Sequence, residues 1–325
     1  MLAALVVLAG CGGGGGGGGG STVPVTSGPS TAPSPIPATP TPVPAPSFAV
    51  YPRYAELTGN QTFKTACAAL NFSSGSPPAP QPATGFGDGF TLAYTAGSDS
   101  YALTGDGLSL SYGPAEIDPT APAGARSYVR TEPSGFQQRF SIGQPAPGGV
   151  GLDYVRGFSL RAQRFGQTLQ YLCVFGVPTL LSDPPSDANV VFSRVAVGGS
   201  AYVAPVAGGL QSYALINSTA AISVDVARGE LRTTIRLIGN LLGPSGPAAT
   251  TTDLGTYTAV ATFDGTSQSY YGPLTSTDRQ SQFSFLGGWF FGPQGREAAY
   301  AAQVLAVDPA TGARVSAIMN VTAAR

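Results

Sequence analysis

Histidine is absent from this chain of 325 residues, and charge is scarce, with 16 basic and 17 acidic residues making up 10%. An average soluble domain carries roughly 25%. Without histidine there is no Ser-His-Asp or Cys-His catalysis, no His-ligated zinc and no His-ligated haem. The net charge is −1, and the arginines and the lone Lys64 are scattered. No basic stripe exists to neutralise phosphates, which excludes a nucleic-acid partner. The five glutamates, Glu56, Glu116, Glu132, Glu230 and Glu297, are far apart and form no acid-pair motif. A hydrolase reading therefore needs carboxylates that converge only in space. Asp99, Asp106 and Asp264 stand singly beside turn residues, without calcium-loop spacing. Gly85-Phe86-Gly87-Asp88-Gly89 lacks a Walker lysine and reads as a β-turn. No catalytic residue and no metal site is assigned.

The distribution of small residues divides the chain. Eleven of the 45 glycines and nine of the 29 prolines precede Phe48, and the first charged residue is Arg53. Leu2–Ala9 is an apolar run ending in Leu8-Ala9-Gly10-Cys11. Eight residues cannot span a hydrocarbon core of ~30 Å, so residues 1–10 read as a signal peptide. Leu-Ala-Gly-Cys resembles a bacterial lipobox, which makes Cys11 the lipidated N-terminus. No Lys or Arg precedes Leu2, so the true start is expected upstream of Met1. Nine consecutive glycines, Gly12–Gly20, are followed by prolines every two to five residues as far as Ser47. Glycine carries maximal backbone entropy and proline favours an extended polyproline II spacer, so residues 11–48 are expected to form a disordered tether.

Beyond Phe48 the pattern has period two, with turn residues every 8–12 positions, which predicts an all-β fold. Ile222, Val224 and Val226 alternate with polar residues, Arg228-Gly229 turns the chain, and Leu231, Thr233, Ile235 and Leu237 resume the alternation. Tyr257–Phe263, the pair Tyr154–Arg164 and Gln167–Phe175, and the closing pair Gln303–Val307 and Arg314–Val321 read the same way. Thr62–Leu70 is the one segment with helical spacing. Few lysines guard the strand edges, which favours closure into a barrel. The strands lack a consistent apolar outer face and aromatic girdles, so a membrane-spanning barrel is not expected. Pro184–Asp187 is the best internal boundary, placing one β-unit at 49–190 and another at 191–325.

With Cys11 lipidated, Cys67 and Cys173 remain. In an oxidising compartment an even pair favours a disulfide; the alternative is two buried thiols. Among the 14 tyrosines, Tyr270 and Tyr271, ahead of Gly272-Pro273, form the most exposed-looking cluster and are the candidate ligand contacts.

Gly287-Gly288-Trp289-Phe290-Phe291-Gly292-Pro293-Gln294-Gly295-Arg296-Glu297 resembles the segment that marks the C-terminal barrel of transferrin-binding-protein-B-like bacterial surface lipoproteins. Val174–Thr179 and Val195–Tyr202 resemble the start of that barrel. The resemblance covers roughly residues 170–325, and residues 49–170 match only as a generic β handle. It implies a handle-like β-domain followed by an eight-stranded antiparallel β-barrel, on a lipoprotein at the outer membrane. The cell surface is the expected location, with the periplasmic face as the alternative. Many relatives capture host iron proteins or haem, but no residue here matches their host-binding loops, so no cofactor is assigned. Read structurally, Gly287 and Gly288 let the backbone bend, Trp289 and Phe291 fill one barrel end, and Pro293 ends the strand. Glu297 caps that turn or pairs with an arginine. The resulting expectation is a non-catalytic, lipid-anchored binding protein for a solute, haem, iron or protein ligand. The rival is an envelope structural or adhesive lipoprotein with no soluble ligand.

Overall fold

The computed structural model describes residues 50–73, 75–122, 126–263 and 269–325. The signal peptide, Cys11 and the linker to residue 48 lie outside the described residues. Residues from Ser47 to Arg325 form one compact unit.

Ten strands come first: β1 (Gln61–Lys64), β2 (Ala66–Asn71), β3 (Ala79–Gln81), β4 (Thr91–Thr95) and β5 (Ser100–Gly105), then β6 (Leu108–Tyr112), β7 (Arg126–Thr131), β8 (Gln137–Gly143), β9 (Val155–Arg164) and β10 (Gln167–Gly176). They make two antiparallel sheets, ordered β1-β4-β5-β6 and β3-β2-β10-β9-β8-β7. Between the sheets lies an aromatic core that includes Tyr101, Tyr112, Tyr128, Phe140, Phe158 and Phe175. Leu169, Tyr171, Cys173 and Phe175 share the core face of β10, as the alternation predicts. This is the handle.

Thr62–Leu70 is not helical; it supplies β1 and β2. Cys67 and Ala69 face the handle core, whereas Ala66, Ala68 and Leu70 face the other way, into apolar clusters shared with later strands. A strand buried on both faces loses its period-two signature and imitates a helix.

The second group is β11 (Asn189–Val191), β12 (Arg194–Ala204), β13 (Gln211–Ala214), β14 (Thr219–Asp225), β15 (Glu230–Gly243) and β16 (Gly246–Thr262). It continues with β17 (Tyr270–Pro273), β18 (Thr275–Ser276), β19 (Gln280–Ser281), β20 (Phe285–Phe291), β21 (Glu297–Val307) and β22 (Arg314–Ala324). Pairing runs β12-β22-β21-β20-β17-β16-β15-β13 and returns to β12, closing an antiparallel ring of eight strands. The fold is all-β, a handle followed by a barrel.

The ring is filled. Val315, Ala317, Met319 and Val321 line one stave, and Ala298, Tyr300, Ala302 and Val304 line the next; all are buried. Thr233 on β15 and Tyr300 on β21 stand four strands apart in either direction around the ring. Their hydroxyls nevertheless meet at 2.7 Å. Eight strands enclose just enough room for side chains, and the alternation of alanines with tyrosines matches that bore.

Candidate functional site

The segment around Trp289 is where handle and barrel join. Strand β20 runs unbroken through Gly287 and Gly288, with no shift in its register against β17 or β21. Gly287 faces the handle, where a Cβ would sit 2.3 Å from the Thr84 carbonyl oxygen, so only glycine permits this approach. Phe290 packs with Tyr270 inside the barrel, their rings 5.2 Å apart. Trp289 and Phe291 point the other way, so they do not plug a barrel end. Trp289 donates its indole N–H to the Thr179 carbonyl at 3.0 Å, and Phe291 meets Phe86 of the handle edge-on at 5.5 Å. The expected plug is instead a joint, because the period of two sends alternate residues to the two faces. Pro293 does end the strand.

Glu297 is 3% exposed and pairs with no arginine within salt-bridge distance. Its carboxylate accepts the backbone N–H groups of Asp153, Tyr154 and Val155 at 2.7, 2.9 and 2.9 Å. It caps a turn of the handle, not its own. Burial raises its pKa, and the three N–H donors oppose that rise. Nearby, Arg156 donates to the Leu152 and Val155 carbonyls, and its guanidinium lies 4.4 Å from the Tyr54 ring centroid. Cys67 and Cys173 are direct cross-strand partners on β2 and β10, joined by a disulfide.

The two tyrosines separate. Tyr270 is buried, not exposed as its neighbours in sequence led us to expect, and its hydroxyl donates to the Trp289 and Ala299 carbonyls. Tyr271, the next residue, is 40% exposed on the outer face. Its ring stacks on Phe285 at 5.7 Å, and Phe285 meets Phe283 at 5.3 Å. These three rings form a row along the barrel flank. Beside them lies an open cleft of about 660 Å³, lined from the handle by Thr84, Gly85 and Asp88 and from the barrel by Thr262, Phe263 and Tyr271. The Gly85–Gly89 segment is a turn, as read, with Asp88 N–H bonded to the Gly85 carbonyl.

Phe263 also borders a second groove of about 420 Å³, formed by Leu180, Leu181, Pro184, Pro185 and Trp289 with Arg228 at its edge. Leu180 and Leu181 are 44% and 38% exposed. Sequence reasoning passed over Phe283 and Phe285, although Phe-Ser-Phe is the period-two signal of two rings on one face. Asp88 and Leu180 carried no such signal, since they reach the site from other elements. Among the described residues no group of three His, Cys, Asp or Glu side chains is placed to hold a metal ion.

No family model and no curated protein matches the chain. Solved structures do. Transferrin-binding protein B of Haemophilus parasuis aligns over 81% of this chain and 45% of its own, at 15% identity and a TM-score of 0.40. The Neisseria meningitidis protein aligns over 81% and 44%, at 14% identity and a TM-score of 0.41. The chain is similar in fold to transferrin-binding protein B. It spans less than half the length of those two chains. The haemoglobin receptor HpuA of Kingella denitrificans aligns over 81% and 86%, at 13% identity and a TM-score of 0.32.

Proposed function

We propose that this chain is a non-catalytic capture protein of the cell surface. In this reading it is anchored in the outer membrane through lipidated Cys11, with a handle up to β10 and a barrel group from β11 onward. The observation that carries the reading is the row Tyr271, Phe285 and Phe283 beside the handle–barrel cleft. Aromatic side chains offer large contact areas at small conformational cost, and interface hot spots are enriched in them. The barrel interior is filled, so a ligand meets the outer wall. The lipobox and spacer support a protein held at a membrane and reaching away from it.

Transferrin and haemoglobin are named for the structural neighbours, and for this chain they serve as probes. Full-length protein in detergent, immobilised through its C-terminus, is challenged with transferrin, haemoglobin and haem. A double substitution, Tyr271→Ala with Phe285→Ala, is expected to lower retention at least tenfold at an unchanged melting temperature. Undiminished retention moves the contact off this flank. Retention of none of the three ends the iron-carrier reading.

A further inference from the structure

On another side of the joint the two domains diverge. The outer face of the handle sheet packs tightly on the barrel at β2, where Ala68 and Leu70 meet Ala301 and Ile318. Sheets twist, so surfaces that touch at one strand splay apart further along. Between β8, β9 and β10 on one side and β12 and β22 on the other, a groove of about 600 Å³ opens.

Its lining carries no charged residue. Ser141, Ser159 and Gln170 come from the handle, and Ser200, Asn320 and Thr322 from the barrel. Asn320 donates its amide to the Cys173 carbonyl at 3.1 Å, which orients the side chain, while its Oδ1 is buried with no hydrogen-bond partner. Gln170 uses its Oε1 to accept from Tyr202, leaving its NH₂ unused by that bond. Arg161, opposite Gln170 on β9, stands beyond the lining with its guanidinium over Phe136 at 5.6 Å.

The floor includes two consecutive glycines, and barrel packing demands only one. A Cβ on Gly199 would lie 2.2 Å from the Ile318 carbonyl oxygen. A Cβ on Gly198, pointing outward opposite Asn320, would meet nothing within 4 Å. Its φ is outside the left-handed region, so neither backbone nor packing requires glycine there. A side chain there would project into the groove.

We propose that this groove binds a neutral, hydroxyl-rich ligand, a saccharide unit, between handle and barrel. A hydroxyl both donates and accepts, which matches Ser, Thr, Asn and Gln side chains. A charged ligand would lose hydration with no counter-charge in the lining to replace it. The volume falls in the range of small-ligand sites.

The test uses full-length protein in a sugar-free detergent and saturation-transfer NMR with maltose, lactose and N,N′-diacetylchitobiose. Sialyllactose is the charged comparator. Each neutral disaccharide is offered free and displayed on a polymer carrier. Binding of the free form assigns a solute, and binding of the displayed form alone assigns a glycan on a larger partner. Gly198→Trp fills the groove and is expected to weaken binding at least tenfold. Gly97→Trp, at another glycine where a Cβ meets nothing, is expected to change nothing, and both variants should melt with the parent. Absence of binding by every neutral disaccharide overturns the proposal. So does binding that survives Gly198→Trp, or sialyllactose binding as tight as the neutral sugars.

Discussion

Glu297 shows how much one side chain can hold. It sits in a β-strand of the barrel, yet its three partners are backbone N–H groups of the handle. Replacing it with Gln keeps the shape but turns an NH₂ towards donors, leaving at least one buried N–H without an acceptor. Glu297→Gln is expected to cost about 2–3 kcal/mol, read as a lowered denaturant midpoint; an unchanged midpoint would show that the cap is dispensable. The residue itself was singled out from the sequence, but its partners were not. They lie some 140 positions earlier, and a carboxylate beside Arg296 reads locally as an ion pair.

At the scale of elements, the handle is stapled twice. The Cys67–Cys173 bridge joins neighbouring strands of one sheet across a sequence separation of 106. In the chain-entropy view such a closure contributes at most ~4–5 kcal/mol. Reduction, or Cys173→Ser, should lower the melting temperature, and the variant should leave one titratable thiol at Cys67. Equal melting with and without reductant would mean that the bridge adds no stability. The second staple is ionic and ties the two sheets together: Arg126 on β7 contacts Asp99, beside β5, at 2.8 Å. Hydrogen bonding to Arg126 is the main reason that the Asp99 pKa falls below its ordinary value of 3.8. A lowered carboxylate pKa gives stability that is complete above the ordinary value and disappears as pH falls through the folded-state value. Arg126→Met should therefore lower stability at pH 7 by as much as it flattens the acid limb of a stability–pH curve below about pH 4, a small loss because both groups are solvated. An unaltered acid limb would remove the pair from the account.

For the whole molecule, placement is the open prediction. Changing Cys11 to Ala is expected to move the protein from the membrane fraction to the soluble fraction, and continued membrane retention would contradict the lipid anchor. Protease applied to intact cells should digest the folded part while a periplasmic marker survives. Protection, with digestion restored on lysis, would place the barrel inside the envelope and end the surface-capture reading.

Local pattern carried the strands that are buried on one face only. The hairpin from Ile222 through Leu237 was legible because alternation is a property of neighbouring residues; the closing pair around Asp308–Gly312 read as strands although both are buried on both faces. Closure into a barrel was favoured by composition, the count of eight strands came only with the family resemblance, and the missing histidine excluded whole classes of chemistry without any structure. Tertiary structure decided what happens where two surfaces meet. Ala66–Asn71 lost its alternation because it is buried on both sides, Tyr270 and Tyr271 took opposite fates across one strand, and Trp289 turned to the handle. The grooves belong to the same class. Thr84 and Tyr271, or Ser141 and Asn320, share a cleft because sheets twist and diverge, and nothing in the spacing of residues along the chain encodes that distance.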